Sequence, residues 1–221
     1  MTPNLPMPSP QPLLVLGTTP YALVFADAFA DLEQFQVVGF VENLDRQRCT
    51  ERHGDLPIHW IDDIAPWRNS HEVICCLSTT FRDAFVLAVK EMGFRFATLI
   101  HPTATVSRKS TVGEGTSLNI GCIVAGFTKI GRYVQVNRGV NIGHHTVIED
   151  FVTIQPGVNL AGNCHLGSHT YIGIGATVLD GVRIGAHSIV GAGAVVTKDL
   201  PERVLALGVP ARIEKEGIQG K

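Results

Sequence analysis

The chain has 221 residues, 45% of them hydrophobic and 17% charged, with a formal net charge of −2. That is too apolar for a disordered chain and long enough for one large or two small domains. The near-neutral balance gives no electrostatic reason to expect nucleic acid or an anionic membrane surface as a partner.

Residues 1–12, MTPNLPMPSPQP, carry five prolines and no basic-then-apolar pattern. They read as an extended tail, not a signal peptide or membrane helix. No run of apolar residues is long enough to span a bilayer. Five cysteines (Cys49, Cys75, Cys76, Cys122, Cys164) form no metal or disulfide spacing, which points to free thiols in a reducing cytoplasm. LLVLG (Leu13 to Gly17) reads as a strand, Tyr21 to Leu32 as a helix, and Gln36 to Glu42 as a second strand. Glu72 to Ser78 reads as a third strand. Phe81, Ala84, Phe85, Ala88 and Met92 then fall on one helical face, with Gly93 as a stop signal. Phe96 to Ile100 closes residues 13–101 as a strand. The alternation predicts a small parallel sheet of the Rossmann-like kind.

After His101-Pro102 the period changes. Every sixth residue from Val106 to Val196 is Val, Ile or Leu, sixteen positions without an insertion. The residue two before each is small or β-branched, and the residue after is glycine in seven of the sixteen, which suits a repeated backbone bend. A period of six is the signature of a parallel β-helix, in which three hexads close a triangular coil of 18 residues. Residues 102–199 supply about five such coils. Each coil buries its face only against its neighbours, so residues 13–101 and 200–221 are expected to cap the two ends.

The hexads, the run IVGAGAVVTKDLP (Ile189 to Pro201) and LGVPARI (Leu207 to Ile213) resemble the left-handed β-helix acyltransferases. An α/β domain feeding through LIHPTATVS into the coils looks, more narrowly, like the sialic acid O-acetyltransferase and bacterial amino-sugar N-acetyltransferase family. That resemblance implies a left-handed helix, a homotrimer, acetyl-CoA as cosubstrate, a sugar or nucleotide-sugar acceptor, and no metal. It implies a catalytic base at His144 with His145 as its neighbour, a substrate-side hydrogen bond from Asn137, and an oxyanion donor at Gly162. The last is His144 plus 18 and should stack directly above it. Ile174 and Ala192 match positions that touch pantetheine, and Lys198, Arg203 and Arg212 are candidates for CoA phosphates. A neutral imidazole is the base best matched to removing a proton from an attacking amine or hydroxyl near pH 7.

Three features depart from the family pattern. His145 stands where the family has an acid; Glu149 or Asp150 could replace that charge. Thr153 stands where a CoA-contacting histidine is usual. In the first turn, LGTTPYA, Gly17, Thr18 and Thr19 remain as nucleotide contacts, but Pro20 and Tyr21 occupy later glycine and histidine positions. Proline removes a donor, while Tyr21 could stack on a base or bond a sugar. Glu42 and Asn43 stand where an acid would meet a ribose or base edge. Three alternatives stay open: a sugar hydroxyl as acceptor; a zinc hydratase of the γ-carbonic anhydrase kind drawing on His165 and His169, against which their spacing argues; and a non-catalytic scaffold.

Overall fold

A computed structural model describes residues 9–221. Most of the expected tail therefore lies outside the described residues, and its last two, Gln11 and Pro12, already belong to the first strand. The N-terminal sheet runs β1 (Gln11–Leu16), β2 (Phe35–Glu42), β3 (Arg52–His53), β4 (Leu56–Trp60), β5 (Glu72–Cys75) and β6 (Arg95–Phe96). The strand order is β3-β4-β2-β1-β5-β6, parallel except for the β3-β4 hairpin, which the sequence reading missed. Helices α1 (Pro20–Ala28) and α2 (Asp83–Glu91) cover it.

Helix α2 buries Phe85, Val86 and Val89, a face rotated from the one expected. Phe81 precedes the helix in a 3-10 turn (Thr80–Arg82) and is 56% exposed, whereas Arg82 is drawn inside. The expected strand Phe96 to Ile100 breaks at Ala97-Thr98. Its first part ends the N-terminal sheet, and Leu99–Ile100 pairs with Ser117–Leu118 as the first rung of the β-helix.

From there the coils stack in register at 18 residues and form a left-handed parallel β-helix with three faces. The first face carries the strands Ser117–Leu118, Gln135–Val136, Thr153–Ile154 and Tyr171–Ile172; the second, Ile123–Val124, Asn141–Ile142, Asn159–Leu160 and Thr177–Val178; the third, Lys129–Ile130, Val147–Ile148, His165–Leu166 and Arg183–Ile184. The six-residue aliphatic series and the apolar members of the set two before it form one core cluster, nearly all buried, with Thr116, Thr128, Thr146, Thr170 and Ser188 buried in the remaining places. Each fully buried aliphatic is worth about 1.5–3 kcal/mol, which is why the pattern admits no polar exception.

The glycines after the aliphatics have a different reason from the one expected. A Cβ on Gly143 would lie 2.4 Å from the carbonyl carbon of Ala161 in the next coil. They permit close approach of stacked coils. The left-handed bends fall further round the corners, at residues such as Phe127, His145 and Asn163.

The N-terminal domain docks on the first face through Arg82. Its guanidinium donates to Thr153 Oγ1 (2.7 Å), Tyr133 O (2.6 Å), Val152 O (3.1 Å) and Thr79 O (2.7 Å). Gln135 Nε2 donates to Cys75 O at 2.9 Å. The C-terminal hairpin Val204–Gly208/Ala211–Glu216 extends the first face, and Lys221 returns to Thr80 and Tyr171. Among the described residues no helix is long and apolar enough to cross a membrane.

The corner between the third and first faces carries a ring stack, Tyr133, Phe151, His169 and His187, with centroids 4.7 to 5.0 Å apart. Burial, and then the neighbouring His187, lower the His169 pKa below the ordinary 6.5, against a raising effect of Asp83. The unfolded chain therefore binds this proton more readily. Stability should be fully present above about pH 6.5, fall as pH drops below it, and level off once the folded value is passed. His169→Phe keeps the stack and should flatten this part of a pH series of urea midpoints; an unchanged slope would remove His169 as its source.

Candidate active site

His144 and His145 lie on the corner between the second and third faces, and both are exposed. The corner forces His145 into the left-handed region, φ 57°. Its ring stacks on Phe127 of the preceding coil, at 4.9 Å and 23°. The two imidazoles meet edge to face, with 3.1 Å between their Nδ1 atoms. One must donate and the other accept, so when His144 donates from Nδ1 its Nε2 is left bare.

That bare nitrogen points across Gly162. A Cβ on Gly162 would lie 2.6 Å from His144 Cε1, 2.8 Å from Nε2, and 3.0 Å from Asp180 Oδ1. The imidazole edge fills the place of the missing side chain. The N–H groups of Ala161 and Asn163 are bonded to Val178 O (2.9 Å) and His144 O (2.8 Å), whereas that of Gly162 has no partner among the described residues. A base and a free donor thus stand side by side, 18 residues apart in sequence.

The N-terminal candidates gather elsewhere. Gly17, Thr18, Thr19, Glu42 and Asn43 line a cavity of about 140 Å³ with Arg48 and Leu77. Cavities that bury a whole small molecule run from roughly 300 Å³ upward, so this one can seat only part of a ligand. Glu42 does not hold its carboxylate out for a ribose. Oε1 accepts from the N–H groups of Asn43 (2.9 Å) and Leu44 (2.8 Å), and Oε2 from the Thr18 hydroxyl. Burial raises its pKa, but these hydrogen bonds outweigh it and the net direction is down. Gly17 is needed for its φ of 115° and for contact with Leu77, 2.6 Å from a would-be Cβ. Tyr21 and Asn137, far apart in sequence, meet: Asn137 Nδ2 donates to the phenol oxygen at 3.2 Å. Burial raises the Tyr21 pKa.

The family Bacterial transferase hexapeptide (six repeats) matches residues 163–198. No curated protein matches the sequence. Similar solved structures cover almost the whole chain. PerB from Caulobacter crescentus, in complex with CoA and GDP-perosamine, superposes with a TM-score of 0.82 at 29% identity, over 92% of this chain and 97% of that one. The acetyltransferase domain of PglB from Neisseria gonorrhoeae, also solved with acetyl coenzyme A, gives 0.84 at 25% identity, over 92% and 99%. WeeI from Acinetobacter baumannii gives 0.77 at 27%, over 92% and 99%. The chain is an acyltransferase, with the hexapeptide repeat in residues 163–198.

Within one chain of this acyltransferase the remaining candidates scatter over all three corners, the hairpin and the first face. Lys198 continues the column His144, Gly162, Asp180, each 18 residues on. Ile174 (58% exposed) and Ala192 stack instead on the corner between the first and second faces, joined by Gly193 N to Ile174 O at 2.8 Å. Arg212 pairs with Leu207 in the hairpin, whose side chain packs on Gly191 beside Ala192. Arg203 turns to the third corner, beside His187. Thr153 cannot serve a CoA in this arrangement: it is 1% exposed on the first face and bonded to Arg82.

Neither carboxylate considered as an orienter for His144 reaches it. Glu149 pairs with His165 at 3.0 Å, and Asp150 pairs with Arg132 at 2.8 Å. A carboxylate that does reach this corner is that of Asp180, whose Oδ1 lies 3.0 Å from a would-be Gly162 Cβ and which the sequence reading passed over. Its signal was the 18-residue column, His144 plus two coils. The two histidines considered for zinc part company as well. His165 lies on the third face, and His169 in the ring stack beyond it.

Proposed function

We propose that the protein transfers the acetyl group of acetyl-CoA to the amine of a nucleotide-linked amino sugar, as a homotrimer, with His144 as general base. The observation that carries this is the junction of a bare imidazole Nε2 with the unbonded N–H of Gly162. PerB, solved with CoA and GDP-perosamine, supports the donor and the class of acceptor.

His145 accepts the Nδ1 proton of His144 and so fixes its tautomer; Phe127 holds His145 in place. His144 Nε2 takes the proton from the sugar amine as its nitrogen lone pair attacks the thioester carbon. Gly162 N–H donates to the oxygen as it becomes an oxyanion. As the C–S bond breaks, the His144 imidazolium returns its proton to the leaving thiolate. An amide and a free thiol result, and the enzyme ends neutral as it began. Lys198, three coils along the same column, is placed for the phosphates at the far end of the donor. Tyr21, Asn137 and the Gly17–Thr19 cavity are placed for the acceptor.

The trimer has a physical motive. Five large hydrophobics between residues 105 and 200 are exposed: Ile120, Ile123, Phe127, Ile174 and Leu179. All lie on the second face or its two corners. The first face is covered by the N-terminal domain, and the third is lined by ion pairs. The second face is therefore the one left for other copies, and its two corners hold the two halves of the site.

The test is thiol release from acetyl-CoA against a panel of UDP-, GDP- and dTDP-linked amino sugars, with sialic acid as the hydroxyl control. Turnover on an amino sugar is expected; turnover on sialic acid alone would move the assignment to O-acetylation. Gly162→Ala should lower kcat by about tenfold or more, because its methyl displaces the imidazole, with little change in unfolding temperature since that ring is exposed. Unchanged kcat would argue against the packed His144-Gly162 geometry.

A further inference from the structure

A cavity of about 440 Å³ lies on the side of the N-terminal sheet that α1 covers, opposite the side on which α2 packs. Fully buried Leu13, Phe40 and Leu99 close its inner end. The end of α1, the start of β2 and the β3-β4 hairpin form its walls. Sites that bury a small molecule run from roughly 300 to 1,000 Å³, so this cavity is of the size to take one whole.

The charge around it says which kind. Asp27 and Asp55 line the cavity, and no lysine or arginine does. Arg52, in the same hairpin, donates to the backbone carbonyl of Asp55 and not to a carboxylate. No basic residue occurs between Leu13 and Asp45, while Asp31 and Glu33 follow Asp27. The carbonyl end of α1 lies here too, and helix carbonyls favour a cation. An apolar cavity under a rim of one sign selects a molecule with an apolar body and the opposite charge.

His53 ties this cavity to the acceptor side. Its ring lines the cavity, packs edge-on against Phe40 at 4.8 Å, and places Nε2 3.0 Å from Thr19 O. A carbonyl only accepts, so Nε2 carries the proton. Thr19 lines the acceptor cavity and precedes α1, whose first turn presents Tyr21 to Asn137. One end of α1 therefore borders the acceptor loop, and the other borders this cavity.

We propose that the cavity is an effector site for a small apolar amine in its ammonium form, and that occupancy tightens acceptor binding by holding His53 against Thr19. The site stands on the cavity and its charge; its effect on the acceptor rests on the acyltransfer reading above.

Tryptamine is the probe, with tryptophol as its neutral and indole-3-acetate as its anionic counterpart. Binding to the full chain is followed by methyl resonances, without acetyl-CoA or acceptor. Tryptamine should move the methyls of Leu13, Leu23, Leu56 and Leu99, and bind about tenfold tighter than tryptophol, with indole-3-acetate the weakest. The double variant Asp27→Asn, Asp55→Asn, at two exposed positions, should bring tryptamine to the affinity of tryptophol and leave tryptophol unchanged. Ala30→Trp, which sets an indole at the exposed rim, should block all three. At saturation tryptamine should lower several-fold the KM for the amino sugar turned over in the panel above, with kcat unchanged. His53→Phe keeps a ring on Phe40 and drops the bond to Thr19, so it should still bind tryptamine and lose that effect. Equal affinities across the charge series, methyl shifts confined to other parts of the chain, or no binding at millimolar concentration would overturn the site. An acceptor KM unmoved by bound tryptamine would overturn the coupling. Inactivity on every amino sugar would sink the acyltransfer reading and the coupling with it, while the methyl shifts still decide the site.

Discussion

His144→Ala is expected to reduce kcat for acetyl transfer by about 10² to 10⁴, the usual worth of a positioned general base. The loss should fall on kcat with KM for acetyl-CoA nearly unchanged, because the ring fills the gap over Gly162 and removes a proton without holding the pantetheine. Stability should scarcely move, since the side chain is exposed and its ring contacts are to exposed His145. The readout is steady-state thiol release beside a thermal melt. A variant that keeps wild-type kcat would show that the amine loses its proton elsewhere. His145→Ala should give an intermediate loss, because the base survives but its tautomer is no longer imposed from Nδ1.

Arg82→Ala is expected to destabilise the fold by on the order of 3 kcal/mol or more. One guanidinium, 1% exposed, supplies hydrogen bonds to Thr79, Tyr133, Val152 and Thr153. Truncation leaves Tyr133 O and Thr153 Oγ1 buried without this donor, whereas Val152 O keeps its bond from Gln135 N, and each such loss costs roughly 1–3 kcal/mol. Burial already lowers the Arg82 pKa to about 10, opposed by Cys75 and Asp83. For a chain of this size the loss corresponds to a fall in melting temperature of about 10 °C. Because all but one of those bonds reach the β-helix, amide exchange should rise first in α2 and along the first face. Thr153→Val, which removes one acceptor and keeps the volume, should cost about 1 kcal/mol. A melting temperature of Arg82→Ala within a degree or two of wild type would show that the two domains are held by other contacts.

That His144 and Gly162 share a corner was legible in the sequence because a β-helix converts distance along the chain into position. A residue 18 further on is one coil higher on the same corner, so His144 and Gly162 could be placed together from numbering alone. The same rule would have found Asp180 and Lys198 on that column. The nucleotide side was less legible. Glu42 and Thr18 are polar residues at loop positions, and nothing in their spacing distinguishes a carboxylate turned to a ligand from one bonded to its own loop. Their mutual bond, and those of Glu42 to Asn43 and Leu44, depend on how β1 and β2 lie side by side.

What the sequence by itself determined is the β-helix, its core and the height of every residue along it, because the period of six leaves one way to bury the aliphatics. The α/β character of the first hundred residues was also determined, by alternating apolar runs. The tertiary structure decided what lies between the elements. Arg82 looks like one more surface cation on a helix until the β-helix supplies three acceptors for it. Thr153 looks like a cofactor contact until the N-terminal domain covers it. Leu99–Ile100 belongs to the β-helix because its pairing edge is offered by Ser117–Leu118. Periodic burial is written locally and repeats; docking is a set of single contacts between distant residues, and no period announces them.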